Sequence, residues 1–227
     1  MKIGILQTGH APDELLEKTG DYDRLFQKLL DGNGFTFTTY NVVDMEFPDK
    51  ITDCDGWLIT GSKHGAYEDH PFIPPLEAFI RDVYAADIPM VGICFGHQII
   101  AQALGGKVEK FSDGWAVGRQ TYNWVGEDVA LNAWHQDQVT ALPEGAKVIA
   151  SNDFCANAAL VYDKRAFTTQ PHPEFGSDFI AGLAQHRGPG VVPDTQLAST
   201  RADLDKPIDN ARIAAQIARF FKERVVD

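Results

Sequence analysis

The sequence contains no apolar run long enough to cross a bilayer. Stretches such as Ile3 to Leu6 and Val91 to Phe95 fall far short of the roughly 20 residues that a spanning helix needs. A secretory core is missing as well, because Ile3-Gly4-Ile5-Leu6 behind Lys2 is shorter than the about 7 to 15 apolar residues of a signal peptide. The expectation is a cytoplasmic protein with no membrane partner. Basic residues are scarce: 20 Lys and Arg stand against 32 Asp and Glu, for a net charge of -12. That balance repels phosphate backbones and excludes nucleic acid as an expected partner. There are only three cysteines, Cys54, Cys94 and Cys155, an odd number at wide spacing that makes neither a disulfide framework nor a C-x-x-C pair. Any functional cysteine must act singly. No phosphate-cradling loop is present, since Gly61-Ser62-Lys63-His64-Gly65 lacks the G-x-x-x-x-G-K-[ST] spacing and no G-x-G-x-x-G opens the first helix. His, Cys and acidic residues form no H-x-x-x-H or C-x-x-C arrangement with a third ligand in support. The expectation is therefore no metal and no cofactor.

What the 227 residues do contain, at 44% hydrophobic, suffices for one substantial core, and a single domain over 1–227 is expected. Strand-like and helix-like segments alternate through the first hundred residues: Lys2 to Gln7, Tyr22 to Leu30, Phe35 to Val43, Gly56 to Thr60, Pro74 to Ala85 and Pro89 to Ile93. This alternation predicts an α/β fold, an open and mostly parallel sheet flanked by helices. Leu76, Phe79, Ile80, Val83 and Tyr84 follow the spacing of a buried helical stripe. Beyond Gly106 the pattern becomes short and β-rich (Lys107 to Phe111, Gln120 to Val125, Lys147 to Ser151, Ala159 to Tyr162, Ala166 to Gln170), which predicts an antiparallel extension of the sheet in the second half. The stretch Arg187 to Pro193 reads as a Gly/Pro-rich surface loop, and a last helix runs from Asn210 to about Arg224.

Cys94 lies between a buried strand, Pro89 to Ile93, and a helix, Gln98 to Leu104, closed by Gly105 and Gly106. Gly92-Ile93-Cys94-Phe95-Gly96 is G-x-C-x-G, a thiol version of the strand-to-helix nucleophile elbow. Such an elbow presents the sulfur at the carboxyl end of a strand, where open α/β sheets bind ligands, and beside a helix N-terminus that favours thiolate. The Phe95 N–H lies just beyond the sulfur, available to a developing oxyanion. A lone cysteine is more often a small hydrophobe, so the partner decides. Of the seven histidines, His172 is the best base: the β-prone run Ala166 to Gln170 stops at Pro171-His172-Pro173, and Glu174 follows two residues later. In extended chain, residues at i and i+2 project to one side, so the carboxylate can orient the imidazole.

Gly92-Ile93-Cys94-Phe95-Gly96-His97-Gln98 together with Gln170-Pro171-His172-Pro173-Glu174 resembles the nucleophile and His-Glu motifs of the class I glutamine amidotransferases, most of all the branch similar to the amidotransferase domain of GMP synthetase. The likeness spans nearly the whole chain. Leu58-Ile59-Thr60-Gly61-Ser62 occupies the place of the family's oxyanion loop, which implies a second N–H from Gly61 beside that of Phe95. Gln98 matches a residue that contacts bound glutamine. Trp134-His135-Gln136-Asp137 stands where the family has Ser-His-Gly-Asp, whose backbone at the first two positions holds the substrate's α-carboxylate. The chain departs from the family at Thr60-Gly61-Ser62, which replaces Gly-Gly-Pro, and at Trp134, which replaces a smaller Ser.

The resemblance implies a class I glutamine amidotransferase that hydrolyses the γ-amide of glutamine through a Cys94 thioester and passes ammonia to a synthetase partner. Two alternatives stay open. One is a stand-alone γ-glutamyl peptidase or hydrolase, motivated by a chain that stops at Asp227 without a synthetase region. The other is a non-catalytic regulatory homologue, against which the intact Cys94, His172 and Glu174 argue. His97 and His135 receive no catalytic role from their side chains, His10 and His64 read as loop residues, and Cys54 and Cys155 read as inert. Trp115 and Trp124 are expected in the core or at a rim.

Overall fold

In the computed structural model, which describes residues 1–226, the first half alternates strands and helices: β1 (Lys2–Leu6), α1 (Asp13–Thr19), α2 (Tyr22–Leu29), β2 (Thr36–Tyr40), β3 (Gly56–Ile59), α3 (Ile73–Ala85), β4 (Met90–Ile93) and α4 (Phe95–Ala103). The second half begins with five strands, β5 (Lys107–Lys110), β6 (Ala116–Trp124), β7 (Glu127–His135), β8 (Asp137–Ala141) and β9 (Ala146–Ser151). It continues with β10 (Ala159–Tyr162), β11 (Ala166–Thr169), α5 (Ser177–His186), α6 (Asp194–Ala202) and α7 (Asn210–Glu223).

Nine strands form one sheet in the order β2-β1-β3-β4-β11-β10-β9-β6-β7. From β2 to β11 every pairing is parallel, and from β11 onward every pairing is antiparallel. The expected architecture is thus present. The run from Lys107 departs from expectation, because β5 does not extend the main sheet and pairs with β8 in a separate two-stranded ribbon. The run from Gln120 is the second half of a longer strand, β6.

Side-chain alternation along the parallel strands explains the two-faced core. Ile3, Ile5, Leu58, Val91 and Ile93 face one layer with Phe26 of α2 and Ile213, Ile217, Phe220 and Phe221 of α7. Leu6, Trp57, Ile59 and Met90 face the other, with Leu76, Ile80 and Val83 of α3 and Phe95, Ile99 and Ile100 of α4. Each such aliphatic or aromatic side chain contributes about 1.5–3 kcal/mol on burial. Helix ends follow local chemistry: Asp21 accepts from the Tyr22 N–H at the start of α2, and Pro74 and Pro75 fill the first turn of α3, where missing N–H groups cost nothing.

The parallel register sets the candidate site residues side by side. Leu6 pairs with Ile59, Ile59 with Gly92 and Ile93 with Thr169. The residues just beyond these strand ends, Thr8, Gly61, Cys94 and His172, are thereby delivered to one edge of the sheet. The chain order reverses at β1, with β2 on one side and β3 on the other, and a crevice at the carboxyl ends beside such a reversal is where open α/β sheets take ligands. Among the described residues, no helix is long and apolar enough to cross a membrane.

Candidate active site

Cys94 sits on the turn from β4 to α4 with φ 53° and ψ -102°, a backbone conformation that a side chain disfavours. Its N–H donates to the Thr169 carbonyl at 2.8 Å, and its carbonyl accepts from the Gln98 N–H at 3.0 Å. The flanking glycines are sterically required. A Cβ on Gly92 would lie 2.5 Å from the Gly96 carbonyl oxygen, and one on Gly96 would lie 2.3 Å from that of Ile59. Both neighbours are backbone atoms of the sheet and helix, so neither can move aside.

Across from the sulfur, His172 follows β11. Its backbone N–H donates to the Asn132 carbonyl on β7 at 2.8 Å, which locks the parallel half of the sheet to the antiparallel extension at the site. The Nδ1 donates to Glu174 Oε1 at 2.7 Å, with both side chains buried. Glu174 reaches the ring through a turn, closed by Phe175 N–H to the His172 carbonyl at 3.3 Å. The extended-chain reason for this contact is therefore corrected: Pro173 and Glu174 are turn residues, and the carboxylate curls back. Phe175 lies flat against the imidazole, with ring centroids 3.8 Å apart and planes 5° apart.

Burial alone would push the His172 proton affinity down. The negative charges of Glu174 and Cys94, with the hydrogen bond to Glu174, outweigh it, and the proton affinity of the ring is held up to about 10. The Nε2 makes no hydrogen bond within ordinary distance and angle limits, yet the cysteine is close enough to act on the ring's charge. A thiol–imidazole contact of this kind need not be tight before a substrate binds. Such a constellation can support a thiolate–imidazolium pair.

The loop after β3 closes the site from a third side. A Cβ on Gly61 would lie 3.0 Å from His172 Cε1 and 3.7 Å from the Cys94 Cβ. The Thr60 carbonyl accepts from the Gly96 N–H at 3.1 Å and from the Thr8 hydroxyl at 3.0 Å. Those bonds fix the Thr60–Gly61 peptide plane, so the Gly61 N–H points the opposite way across a planar trans amide. The Phe95 N–H opens α4 and is one of the helix's first donors, which have no acceptor within the helix.

A cleft of about 310 Å³ opens over the sulfur and the imidazole and includes Cys94, Gln98, Trp134, His135 and His172 in its lining. Gln98 is positioned by Nε2, which donates to the Asp137 carbonyl at 2.9 Å and to Gln170 Oε1 at 3.1 Å. The His135 ring is buried and its proton affinity falls to about 3, through burial first and the nearby His172 second. A neutral ring there forms part of a wall. His97 is likewise buried and lowered to about 3, by burial and then His135, and its Nδ1 pairs with the Thr168 hydroxyl at 2.8 Å. Cys155 is pushed up to about 12 by burial, and burial also raises Cys54, so both thiols stay protonated.

Several residues in or behind the cleft carry no signal in the sequence. Thr8 holds the Gly61 loop through its hydroxyl, which also reaches the Gly61 carbonyl at 3.0 Å. Tyr22, Lys110 and Arg187 line the cleft, although Tyr22 reads as an ordinary helix residue and Arg187 as the start of a surface loop. His10 and His64 reach the cleft too. His10 bridges Asp21 and Asp44 at 2.6 and 2.9 Å. Trp124 is fully buried, while Trp115 stands at the rim against Trp134, with centroids 6.5 Å apart.

A strained cysteine facing a buried imidazole–carboxylate pair, at the carboxyl ends of parallel strands, has the make-up of an α/β thiol enzyme. The sequence model of the family described as Glutamine amidotransferase class-I matches residues 22–179. The chain belongs to that family. Gamma-glutamyl peptidase 4 of Arabidopsis thaliana is 30% identical to it over 94% of this chain and 93% of its own length. One of the subunits of the glutamine-hydrolysing GMP synthase of Archaeoglobus fulgidus is also 30% identical, over 68% of this chain and 84% of its own. The crystal structure of a glutamine amidotransferase from Methylobacillus flagellatus shares the fold, with a TM-score of 0.76 and 24% identity over 99% of this chain and 92% of that one.

Proposed function

We propose that the chain hydrolyses γ-glutamyl amide bonds whose leaving amine is larger than ammonia, with Cys94 as nucleophile, His172 as acid and base, and Glu174 as its orienter. The observation that carries the chemistry is the 2.7 Å contact from His172 Nδ1 to Glu174 in a buried pocket facing Cys94. The thiolate adds to the γ-carbonyl carbon, and the oxygen takes up the negative charge beside the N–H groups of Gly61 and Phe95. Collapse breaks the C–N bond, and the amine departs with the proton of the imidazolium. Neutral His172 then takes a proton from water, which attacks the thioester. Glutamate leaves, and the thiolate–imidazolium pair is restored. Trp134 and His135 flank the place assigned to the α-carboxylate, with Gln98 beside it.

The cleft walls support a leaving amine larger than ammonia. Tyr22, Trp115 and Trp134 supply aromatic surface, and Lys110 and Arg187 supply positive charge, none of which ammonia needs. The relation to a γ-glutamyl peptidase over nearly the whole of both chains supports the same reading. A second reading is favoured by the relation to a component of a glutamine-hydrolysing GMP synthase: glutamine is the substrate, and a separate synthetase consumes the ammonia. A single experiment separates the two. Purified chain is incubated with glutamine, γ-glutamyl dipeptides and γ-glutamyl alkylamides, and released amine is measured with and without proteins from the native extract. Faster turnover of a γ-glutamyl dipeptide or alkylamide than of glutamine, by the chain alone, is expected. Inactivity alone, relieved on glutamine by an ATP-dependent co-purifying enzyme, would establish the synthetase-dependent reading.

A further inference from the structure

The loop between β3 and α3 brings together two imidazoles and a carboxylate that the proposed hydrolysis does not use. We propose that His64, Glu68 and His70 form a binding site for one divalent cation of the zinc class, set into the wall of the catalytic cleft. One ligand atom from each of the three lies within 4.8 Å of the other two. His70 Nε2 is 2.8 Å from Glu68 Oε2 and His64 Nδ1 is 3.8 Å from the same oxygen. Bonds of about 2.0–2.1 Å to a tetrahedral zinc place neighbouring ligands about 3.3 Å apart, a spacing that falls between these two separations. Small side-chain rotations therefore bring all three onto one ion. For His70 to bind through Nε2, its 2.8 Å hydrogen bond to the Glu68 carboxylate gives way to the ion.

The donor set selects the class of metal. Two imidazole nitrogens and one carboxylate oxygen suit zinc, nickel or copper, whereas magnesium and calcium require mostly oxygen ligands. With three protein ligands, the fourth position is left to water or another small ligand.

The scaffold under the three side chains is built independently of any ion. Phe72 is buried beneath both rings, its centroid 5.8 Å from that of His70 and 5.9 Å from that of His64, and the two imidazole centroids lie 4.0 Å apart. The segment is pinned just before it and within it: Ser62 Oγ donates to the Thr8 carbonyl at 2.7 Å, and Gln102 donates to the Ala66 carbonyl at 2.7 Å. Tyr67 donates to Asp137 at 3.2 Å. Side chains held this way lose little freedom on closing around an ion. His64 and Glu68 also line the cleft that holds Cys94, so an ion here would brace the wall that follows the Gly61 loop. The H-x-x-x-H spacing rule misses the group because the third residue of the set, Glu68, lies between the histidines and the turn at Gly65 folds them onto one another.

The test must exclude the catalytic thiol as the ligand, so zinc is titrated into the Cys94→Ala chain against a chromophoric chelator. One equivalent is expected to bind. Affinity should fall by about 10–100-fold or more in His64→Ala and in His70→Ala, with Glu68→Gln as a milder variant should an alanine variant unfold. Cobalt in the wild-type chain, added at one equivalent, should show ligand-field bands without a thiolate-to-cobalt charge-transfer band. Binding that disappears with Cys94→Ala, binding indifferent to the loss of both imidazoles, a strong thiolate band, or no binding at all would each overturn the proposal.

Discussion

Phe175 lies face to face with His172, 3.8 Å between centroids and 5° from parallel, directly after the residue that orients the same ring. Glu174 fixes the imidazole in its plane through Nδ1, and Phe175 fixes the plane itself. A flat aromatic face also favours the imidazolium over the neutral ring. Phe175→Leu keeps most of the buried volume but gives up that face. It is expected to lower kcat about tenfold with a smaller change in KM, whereas Phe175→Tyr retains activity. Equal loss in both variants, accompanied by a shared drop in Tm, would mean that packing alone is at stake.

The elevated proton affinity of His172 makes a signed prediction about stability. In the unfolded chain its value is near 6.5, and in the fold Glu174 and Cys94 hold it up to about 10 against the opposing effect of burial. Between those values the folded state keeps a proton that the unfolded state has lost, so its contribution to stability is full below about 6.5, declines as pH rises, and is gone above about 10. Thermal unfolding should therefore show a steeper loss with rising pH in wild type than in His172→Gln over that window. Identical slopes would place the ring's titration elsewhere. Comparing the two proteins cancels the alkaline contributions of buried tyrosines and Cys155.

Removing the two members of the pair should have unequal effects on turnover. His172→Ala removes the proton carrier, while Glu174→Ala leaves an imidazole that is correctly placed part of the time. The second is expected to retain about tenfold to a hundredfold more activity than the first, measured as kcat on the preferred γ-glutamyl compound. Negligible and equal effects would assign the base to a different histidine.

Cys94 in its positive-φ conformation is strained by about 1–3 kcal/mol, and glycine, which alone adopts such angles freely, carries an entropy cost of about 0.5–1 kcal/mol. Cys94→Gly should consequently be more stable than Cys94→Ala by about 1 kcal/mol in denaturant unfolding, although both are inactive. An alanine variant of equal or greater stability would show that the turn is not strained.

How much of the fold and site is legible in the chain depends on which contacts are local. The elbow can be read because its requirements sit within five residues, each with a steric reason that the close approaches at Gly92 and Gly96 bear out. The parallel half of the sheet is legible because apolar strands and a striped helix, Leu76 to Tyr84, alternate cleanly. The strand β7 leaves no trace, since it is buried on both faces from Val129 to Ala133 and so lacks a period of two. The helix α6 escapes notice because it buries little beyond Leu197 and Thr200, too few for a stripe. Thr8, Tyr22 and Phe175 belong to the site only through tertiary packing, and no spacing in the chain points to the first two.

Gly61 offers the sharpest separation of chemistry from folding. It is placed opposite both side chains proposed to react, and an added Cβ would meet His172 Cε1 at 3.0 Å and the Cys94 Cβ at an ordinary 3.7 Å. The first contact is too tight, and the imidazole must yield by a few tenths of an ångström. The surroundings resist that movement unequally: Glu174 holds Nδ1 at 2.7 Å and Phe175 blocks one face, so the ring tips out of line with the sulfur. Gly61→Ala keeps the backbone N–H assigned to the oxyanion and removes no buried contact. Its expected consequence is a fall in kcat of about tenfold to a hundredfold from misplacement, with KM little changed and unfolding free energy altered by less than about 1 kcal/mol. Alkylation of Cys94 by a small electrophile should still go to completion, because the thiol remains in place. If kcat survives intact, the Gly61 loop does not abut the catalytic pair in solution. If stability collapses together with kcat, the glycine is required for folding and its assignment to the oxyanion site loses its support.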